Sequence, residues 1–287
     1  MSAIVSAGPA GAAARSFSRH PLLWIGAFIV AAQIAVAITA PLVSPYDPLA
    51  QDILSRMQGP SSAHWLGADQ FGRDVLSRIL HGYRSSFLIS ALAVGAALGA
   101  GGGLGILAAY YGGWADRLIM RCMDVLFAFP VVLLAIGIIA VLGSNAVTTA
   151  IAIGVVYTPI FARLLRGPAL VIAASEFVTA ARALGAGDAR IVFRHILPNL
   201  ASVILVQASL SLSTAILVEA SLSFLGIGTQ PPQPSLGKML AEGRDYLLLS
   251  PWNSVFSGTA ILLASFGFNL LGDGLRDRLD PRLRGTE

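Results

Sequence analysis

The chain has 287 residues, of which 55% are hydrophobic and only 12% are charged, whereas a soluble domain carries about 25% charged residues. One soluble core could not hide so much apolar surface, so the composition predicts a membrane protein. The formal net charge is +4, but the arginines stand singly between apolar runs, which argues against nucleic-acid binding. The single cysteine, Cys122, excludes an internal disulfide and a cysteine-based zinc site, and without an HExxH pair no metal site is predicted.

Six apolar stretches are long enough to cross a bilayer, since a membrane helix needs roughly 20 apolar residues for about 30 Å of hydrocarbon. They are Leu22–Ala40, Phe87–Tyr111, Leu118–Leu142, Ala146–Leu165, Leu200–Leu225 and Asn253–Leu271. Arg15 and Arg19 precede the first stretch as in a signal peptide, but its apolar run exceeds the usual length of about 7–15 residues. We interpret it as an uncleaved anchor. Pro130 and Pro159 lie inside the third and fourth stretches and predict kinks there.

Two short spacings predict contacts between or along these spans. Gly95, Gly99 and Gly103 recur every four residues, and small residues on one face let membrane helices approach closely. Arg121 and Asp124 are three residues apart, so they share a helix face and are expected to pair.

The basic residues predict the orientation. With the N-terminus placed in the cytoplasm, the inner segments hold thirteen Arg or Lys residues and the outer segments six. The inner set is Arg15, Arg19, Arg117, Arg121, Arg163, Arg166, Arg182, Arg190, Arg194, Arg276, Arg278, Arg282 and Arg284. The outer set is Arg56, Arg73, Arg78, Arg84, Lys238 and Arg244. Because basic residues accumulate on the cytoplasmic side, both termini are predicted to be cytoplasmic, with structured outer loops at 41–86 and 226–252. The first of these loops is expected to contain a charged, helix-like stretch from Arg73 to Arg84.

The longest inner connection, residues 166–199, predicts a short helix pair. Residues 176–184 are strong helix formers, and Gly185 is expected to end this helix with a positive φ. A second helical stretch, Asp188–Ile196, is expected to begin at its aspartate as a cap and to stop at Pro198.

The same connection carries a family motif. Its pattern, Thr179-Ala180-Ala181-x3-Gly185-x11-Leu197-Pro198, resembles the EAA loop of ABC importer permeases, which forms a coupling helix held by the ATPase subunit. Thr179 stands where the motif has Glu, and His195 stands where it often has Ile. Glu176 is the nearest acidic residue that could keep an ion pair with the ATPase. The resemblance implies an ATPase-coupling site made of Glu176, Thr179, Ala180, Ala181, Gly185, Leu197 and Pro198.

Three further segments narrow the resemblance to the C-type permeases of dipeptide, oligopeptide and nickel importers. They are His64–Arg78, Arg121–Pro130 and Glu219–Gly228. The resemblance implies an all-α membrane protein with six transmembrane helices in the type I ABC importer permease fold. It divides the chain into a cytoplasmic tail at 1–20, a first span with its outer loop at 21–86, and the core permease domain at 87–287.

The resemblance also implies partners in a bacterial inner membrane: a second homologous permease, two cytoplasmic ATP-binding subunits and an external solute-binding protein. ATP and Mg would be bound by the ATP-binding subunits, and this chain would be a non-catalytic translocation subunit without a cofactor. In agreement, the only lysine, Lys238, does not stand in a GxxxxGK[ST] motif. The solute is left open, with di- or oligopeptides first and nickel or another small solute next.

Polar residues inside the spans suggest where solute passes. Glu219 is the most deeply placed charge, and its role is left open between a translocation path or gate and a structural bond to a neighbouring helix. Gln207, Ser211 and Thr214 share a helix face by spacing and are further path candidates. The alternative function is a secondary, ion-coupled carrier that uses Glu219 as a proton or ion site.

Overall fold

The computed structural model describes residues 21–279 and is helical, with no named strand in that range. The predicted tail at 1–20 and the basic residues Arg282 and Arg284 lie outside the described residues. The helices are α1 (Pro21–Val43), α2 (Val75–Ala97), α3 (Gly103–Tyr111), α4 (Gly113–Phe127), α5 (Val131–Leu142), α6 (Ala146–Ala173), α7 (Glu176–Ala183), α8 (Asp188–Ile191), α9 (Ala201–Phe224), α10 (Leu236–Arg244) and α11 (Trp252–Leu279). A π-helical turn, Leu98–Gly102, joins α2 to α3.

Within residues 21–279, five helical segments are long and apolar enough to cross a bilayer, and a sixth is counted if α4 and α5 form one bent span. This confirms the predicted all-α membrane fold. The third span is not the single kinked helix predicted at Leu118–Leu142, because α4 and α5 meet at 91°. Pro130 lacks a backbone N–H and restricts the residue before it, so the helix breaks and restarts after the proline. Pro159, by contrast, lies inside the continuous helix α6.

The second span is longer than predicted. It begins at Val75 and not at Phe87. The charged stretch predicted to be helix-like within the outer loop is helical from Val75 to Arg84, but these residues form the first turns of α2. Asp74 caps the helix by accepting a hydrogen bond of 2.7 Å from the backbone N–H of Ser77. A hydropathy criterion misses this start because the turns carry charged residues, of which Arg78 is paired with Asp69 in the loop at 44–74 and with Glu242.

The glycines that bring α2 and α3 close to α6 differ from those predicted. A Cβ at Gly101 or Gly105 would lie 2.1 or 2.2 Å from a backbone carbonyl oxygen of α6. A Cβ at Gly95, Gly99 or Gly103 would meet no atom of the described chain within 4 Å. Regular spacing identifies a small-residue face, but the π-helical turn between α2 and α3 changes the helix phase, so the packed face is a different one.

The two ends of the helix bundle carry the elements that matter for function. In the middle of the bundle, α2 packs against α6, and α11 packs against α1 and α9. The end that carries α7 and α8 is called the α7 end. The opposite end carries α10 and the loop at residues 44–74, and it is called the α10 end.

Candidate functional site

Helix α7 is a short, separately closed helix at the α7 end, as the sequence predicts. Gly185 follows it with φ +82°, which confirms the expected positive φ. Its N–H donates to the carbonyl of Arg182 at 3.0 Å, and the N–H of Ala186 donates to the carbonyl of Ala181 at 3.0 Å. This pair of bonds is a Schellman closure, which satisfies carbonyls at the helix end and turns the chain sharply.

One face of α7 is anchored and the opposite face is open. Val178 is 0% exposed and belongs to a buried cluster with side chains of α3, α6 and α8. Glu176, Thr179 and Ala180 are exposed, and Ala181 is half-buried. The motif residues therefore lie on the accessible side of a helix that Val178 attaches to the bundle.

Helix α8 is attached to the end of α3 by a shared carboxylate. The hydroxyl of Tyr110 donates to Asp188 Oδ1 at 2.7 Å, and that of Tyr111 donates to Asp188 Oδ2 at 3.3 Å. The guanidinium of Arg182 on α7 lies 5.2 Å from the Tyr110 ring centre, within range of a cation–π interaction. These contacts attach the α7–α8 pair to the end of α3.

The second helical stretch does not stop at Pro198, and this prediction was wrong. Helix α8 continues through a π-helical turn, Val192–Ile196, and a 3₁₀ turn, Leu197–Leu200, directly into α9. Pro198 lies at the start of that 3₁₀ turn, where its missing N–H leaves no bond unmade. The cap also differs by one residue, because Gly187 and not Asp188 occupies the N-cap position of α8.

Glu219 is buried between three structural elements. Its side chain is 0% exposed and accepts hydrogen bonds from the hydroxyls of Ser86 at 2.7 Å, Ser223 at 2.8 Å and Ser235 at 3.3 Å. Ser86 belongs to α2, Ser223 to α9, and Ser235 precedes α10. The carboxylate therefore joins two spans to the start of the short helix at the α10 end.

The predicted polar stripe lies on α9 but is not brought together with Glu219 on one surface. Gln207 Nε2 donates to Ser211 Oγ at 3.1 Å, which confirms that these two residues share a face. Thr214 donates to the carbonyls of Leu210 and Ser211, each at 3.2 Å. Gln207 is half-buried and Thr214 exposed, whereas Ser211, at 2% exposure, and Glu219, at 0%, are buried in the described chain.

Ion pairs between α4 and α6 replace the pair predicted within α4. Asp124 Oδ1 accepts a hydrogen bond of 2.6 Å from Arg163, and within residues 21–279 Arg121 is not its partner. Asp116 accepts two hydrogen bonds from Arg166, at 2.5 and 2.6 Å. Both arginines belong to α6, so the bent span is tied laterally to its neighbour.

Sequence reasoning missed a charged cluster at the α10 end. Asp69, whose side chain is 0% exposed, accepts from Arg73 Nε at 2.7 Å and contacts Arg78 Nη1. The same two arginines donate to Glu242 Oε2 at 3.0 and 3.2 Å. We call these four residues the outer charge cluster. The i,i+4 spacing of Asp69 and Arg73 gives a local signal, but no local pattern points to Glu242, which lies on α10.

A second pair in the same loop orders the start of α2. His64 Nδ1 and Asp74 Oδ1 are 2.9 Å apart, with side-chain exposures of 10% and 2%. The other oxygen of Asp74 accepts from the backbone N–H and the hydroxyl of Ser77, both at 2.7 Å. The family segment His64–Arg78 is therefore a folded structure at the α10 end, and the bonds of Asp69, Asp74 and Arg78 hold it together.

Comparison with known protein families agrees with this architecture. Residues 101–285 match the family described as binding-protein-dependent transport system inner membrane component. Residues 8–60 match the N-terminal transmembrane domain of oligopeptide transport permease C. The chain belongs to this family of ABC importer permeases, as a multi-pass inner-membrane subunit of the C type.

The relatives narrow the kind of permease. The chain is 44% identical to the dipeptide transport system permease protein DppC of Alkalihalophilus pseudofirmus, over 94% of this chain and 89% of the relative. It is 46% identical to the glutathione transport system permease protein GsiD of Pectobacterium atrosepticum, over 94% and 90%. It is 47% identical to GsiD of Escherichia coli over the same shares. The resemblance drawn from the motifs is confirmed.

Proposed function

We propose that this chain forms half of a transmembrane pathway for short peptides, driven by ATP hydrolysis in separate ATP-binding subunits. The observation that carries the proposal is α7, which exposes the motif residues on one face and is anchored by Val178 on the other. The relatives named above are permeases for dipeptides and for glutathione, itself a short peptide. These names favour a peptide over nickel or another small solute.

The proposed assembly contains a second homologous permease, two ATP-binding subunits and an external solute-binding protein. ATP and Mg would be held by the ATP-binding subunits, and we assign no catalytic step to this chain. When ATP draws those subunits together, α7 is displaced with them. Because Val178 and Asp188 attach the α7–α8 pair to α3, the displacement is passed to the span formed by α2 and α3, and the bundle switches from inward- to outward-facing.

The roles of the polar residues are part of the proposal. The three hydroxyl bonds of Glu219 support a positioning role, in which the carboxylate holds α10 against α2 and α9. Gln207, Ser211 and Thr214 remain our candidates for the translocation path. This assignment disfavours the ion-coupled carrier, whose ion site would need an accessible Glu219.

We propose that the α7 end and both termini face the cytoplasm, which follows from the distribution of basic residues. Reporter fusions near Asp188 and after Glu287 are expected to report the cytoplasm, and a fusion near Gln230 the outside. An external C-terminus would contradict the six-span arrangement.

Uptake assays distinguish the importer from the carrier. Cells that express the full transporter are given a radiolabelled dipeptide, with the ATP-binding subunits either intact or unable to hydrolyse ATP. We expect uptake to require hydrolysis. Uptake that continues without hydrolysis and collapses with the ion gradient would establish the carrier instead. If uptake requires hydrolysis but nickel is taken up and peptides are not, the chain is an importer subunit and its solute is nickel.

A further inference from the structure

A groove of about 510 Å³ opens on the side of the bundle between α1, α2, α9 and α11. Its walls are apolar and include Ile38, Leu88, Ile216 and Phe268, one from each helix. Ile38 and Leu88 are 71% and 59% exposed, so the groove is open along its length to whatever surrounds the spans. It lies apart from α7 and from the polar stripe of α9.

The lining residues of the groove are apolar except for one charged side chain, Arg84, and one hydroxyl, that of Ser90. Among residues 21–279 it has no ion-pair or hydrogen-bond partner, whereas Arg73 and Arg78 on the same side of the bundle are both held in the outer charge cluster. An arginine without a counter-charge beside an apolar groove is expensive unless an anion or water meets it.

Arg84 lies close to the end of α1 at the α10 end of the bundle. One turn nearer the start of α2, His81 Nδ1 lies 3.2 Å from Ser44 Oγ, immediately after α1 ends at Val43. Arg84 therefore lies about 4.5 Å inside the end of α1, from the helical rise of about 1.5 Å per residue. Long basic side chains at such positions reach toward the membrane surface with the charged group.

We propose that this groove binds a phospholipid, with its phosphate on Arg84 and one acyl chain along the apolar walls. A guanidinium donates two parallel N–H bonds to phosphate oxygens, which suits this headgroup. From Arg84 to Ala91 the groove follows α2 for about 10 Å, a large part of one leaflet of a hydrocarbon core about 30 Å thick. A helix from another protein would cover the same walls but would have to supply an acidic residue for Arg84 at that depth.

Lipid retention by the purified transporter tests the proposal. The delipidated complex is incubated with phosphatidylglycerol, washed, and examined by native mass spectrometry. Arg84→Gln removes the charge and Ala91→Leu fills the groove, and each is expected to lower bound lipid at least fivefold. Two matched controls make the same changes outside the groove: Arg244→Gln, at an exposed arginine of the α10 end, and Ala32→Leu, at an exposed position on another face of α1. Both are expected to retain lipid as the wild type does.

A photo-activated crosslinker at Leu88 identifies the occupant directly. We expect an adduct with phosphatidylglycerol that weakens in Arg84→Gln and persists in Arg244→Gln. Equal lipid retention by all variants overturns the proposal, as does failure to form a lipid adduct. An adduct with the second permease subunit in place of lipid also overturns it and would assign the groove to the subunit interface.

Discussion

The Gly185→Val substitution should separate ATP hydrolysis from solute movement while leaving the membrane bundle intact. Gly185 has φ +82°, a conformation that costs a β-branched residue about 1–3 kcal/mol. A Cβ at this position would meet no atom of the described chain within 4 Å. The cost is therefore one of backbone strain, and it falls on the Schellman closure of α7 and not on packing within the bundle.

A strain of about 1–3 kcal/mol shifts the balance between the closed turn and any relaxed turn by about 5- to 150-fold. Relaxation of the turn changes the angle between α7 and α8, while Val178 still holds α7 to the bundle. We expect membrane insertion and pairing with the second permease to be preserved. The ATP-binding subunits should either detach or hydrolyse ATP without a matching uptake of solute.

Gly187 provides a matched control two residues away. Its φ and ψ are −68° and 156°, which valine adopts readily, and a Cβ there also meets no atom of the described chain within 4 Å. Gly187→Val should therefore copurify with the ATP-binding subunits and transport normally. Uptake by Gly185→Asn should lie between that of Gly185→Val and that of Gly187→Val, because asparagine tolerates a positive φ better than most other side chains.

The assay measures copurification of the ATP-binding subunits, ATP hydrolysis and dipeptide uptake for the three variants in the same membranes. If Gly185→Val takes up solute at the rate of Gly187→Val, the reasoning fails and α7 is not the coupling element. If Gly185→Val and Gly187→Val lose uptake equally, the bulk of the side chain at the exposed turn is responsible and backbone strain is not.

Three further predictions concern the stability of the bundle. Gly105→Ala places a Cβ 2.2 Å from a carbonyl of α6 and should lower the free energy of unfolding by about 1–3 kcal/mol or more, whereas Gly99→Ala, at an open position, should leave thermal unfolding unchanged. Arg78→Met leaves Asp69 with a single arginine and should lower the free energy of unfolding by an amount near the lower end of about 3–5 kcal/mol. In a double-mutant cycle with Glu242→Gln, the effects of the two substitutions on stability should be coupled. Strict additivity would contradict the charge cluster. Glu219→Leu removes the acceptor of three hydroxyls, and each hydroxyl left unpaired costs about 1–3 kcal/mol. The variant should therefore unfold at a lower temperature. If its unfolding temperature is unchanged but uptake is lost, Glu219 belongs to the translocation path instead.

The helical class and most span positions are predictable because hydrocarbon imposes them. A run of about 20 apolar residues predicts a membrane span. The observed starts of α1, α6, α9 and α11 all fall within two residues of the starts of the predicted spans. The positive φ at Gly185 is predictable for a similar reason, since a glycine after a helical stretch has a strong local explanation. These features depend on nearby residues alone.

The missed features depend on partners that are distant in sequence. The start of α2 was placed too late because its charged turns are compensated by Glu242, which the chain supplies from α10. The pair predicted within α4 failed because Arg163 of α6 offers Asp124 a better partner across the bundle. Pro198 did not end its helix because π-helical and 3₁₀ turns rearranged the backbone around it.

The outer charge cluster has a consequence for how such permeases can be recombined. Arg78 and Glu242 are separated by 164 positions in the chain, yet Glu242 supplies the second carboxylate that balances the two arginines paired with the buried Asp69. A chimera whose junction lies anywhere between them takes the arginines from one parent and their second carboxylate from the other. Successful exchanges between homologous permeases should therefore transfer the loop at 44–74, the first turns of α2 and the helix α10 together, as one inherited block.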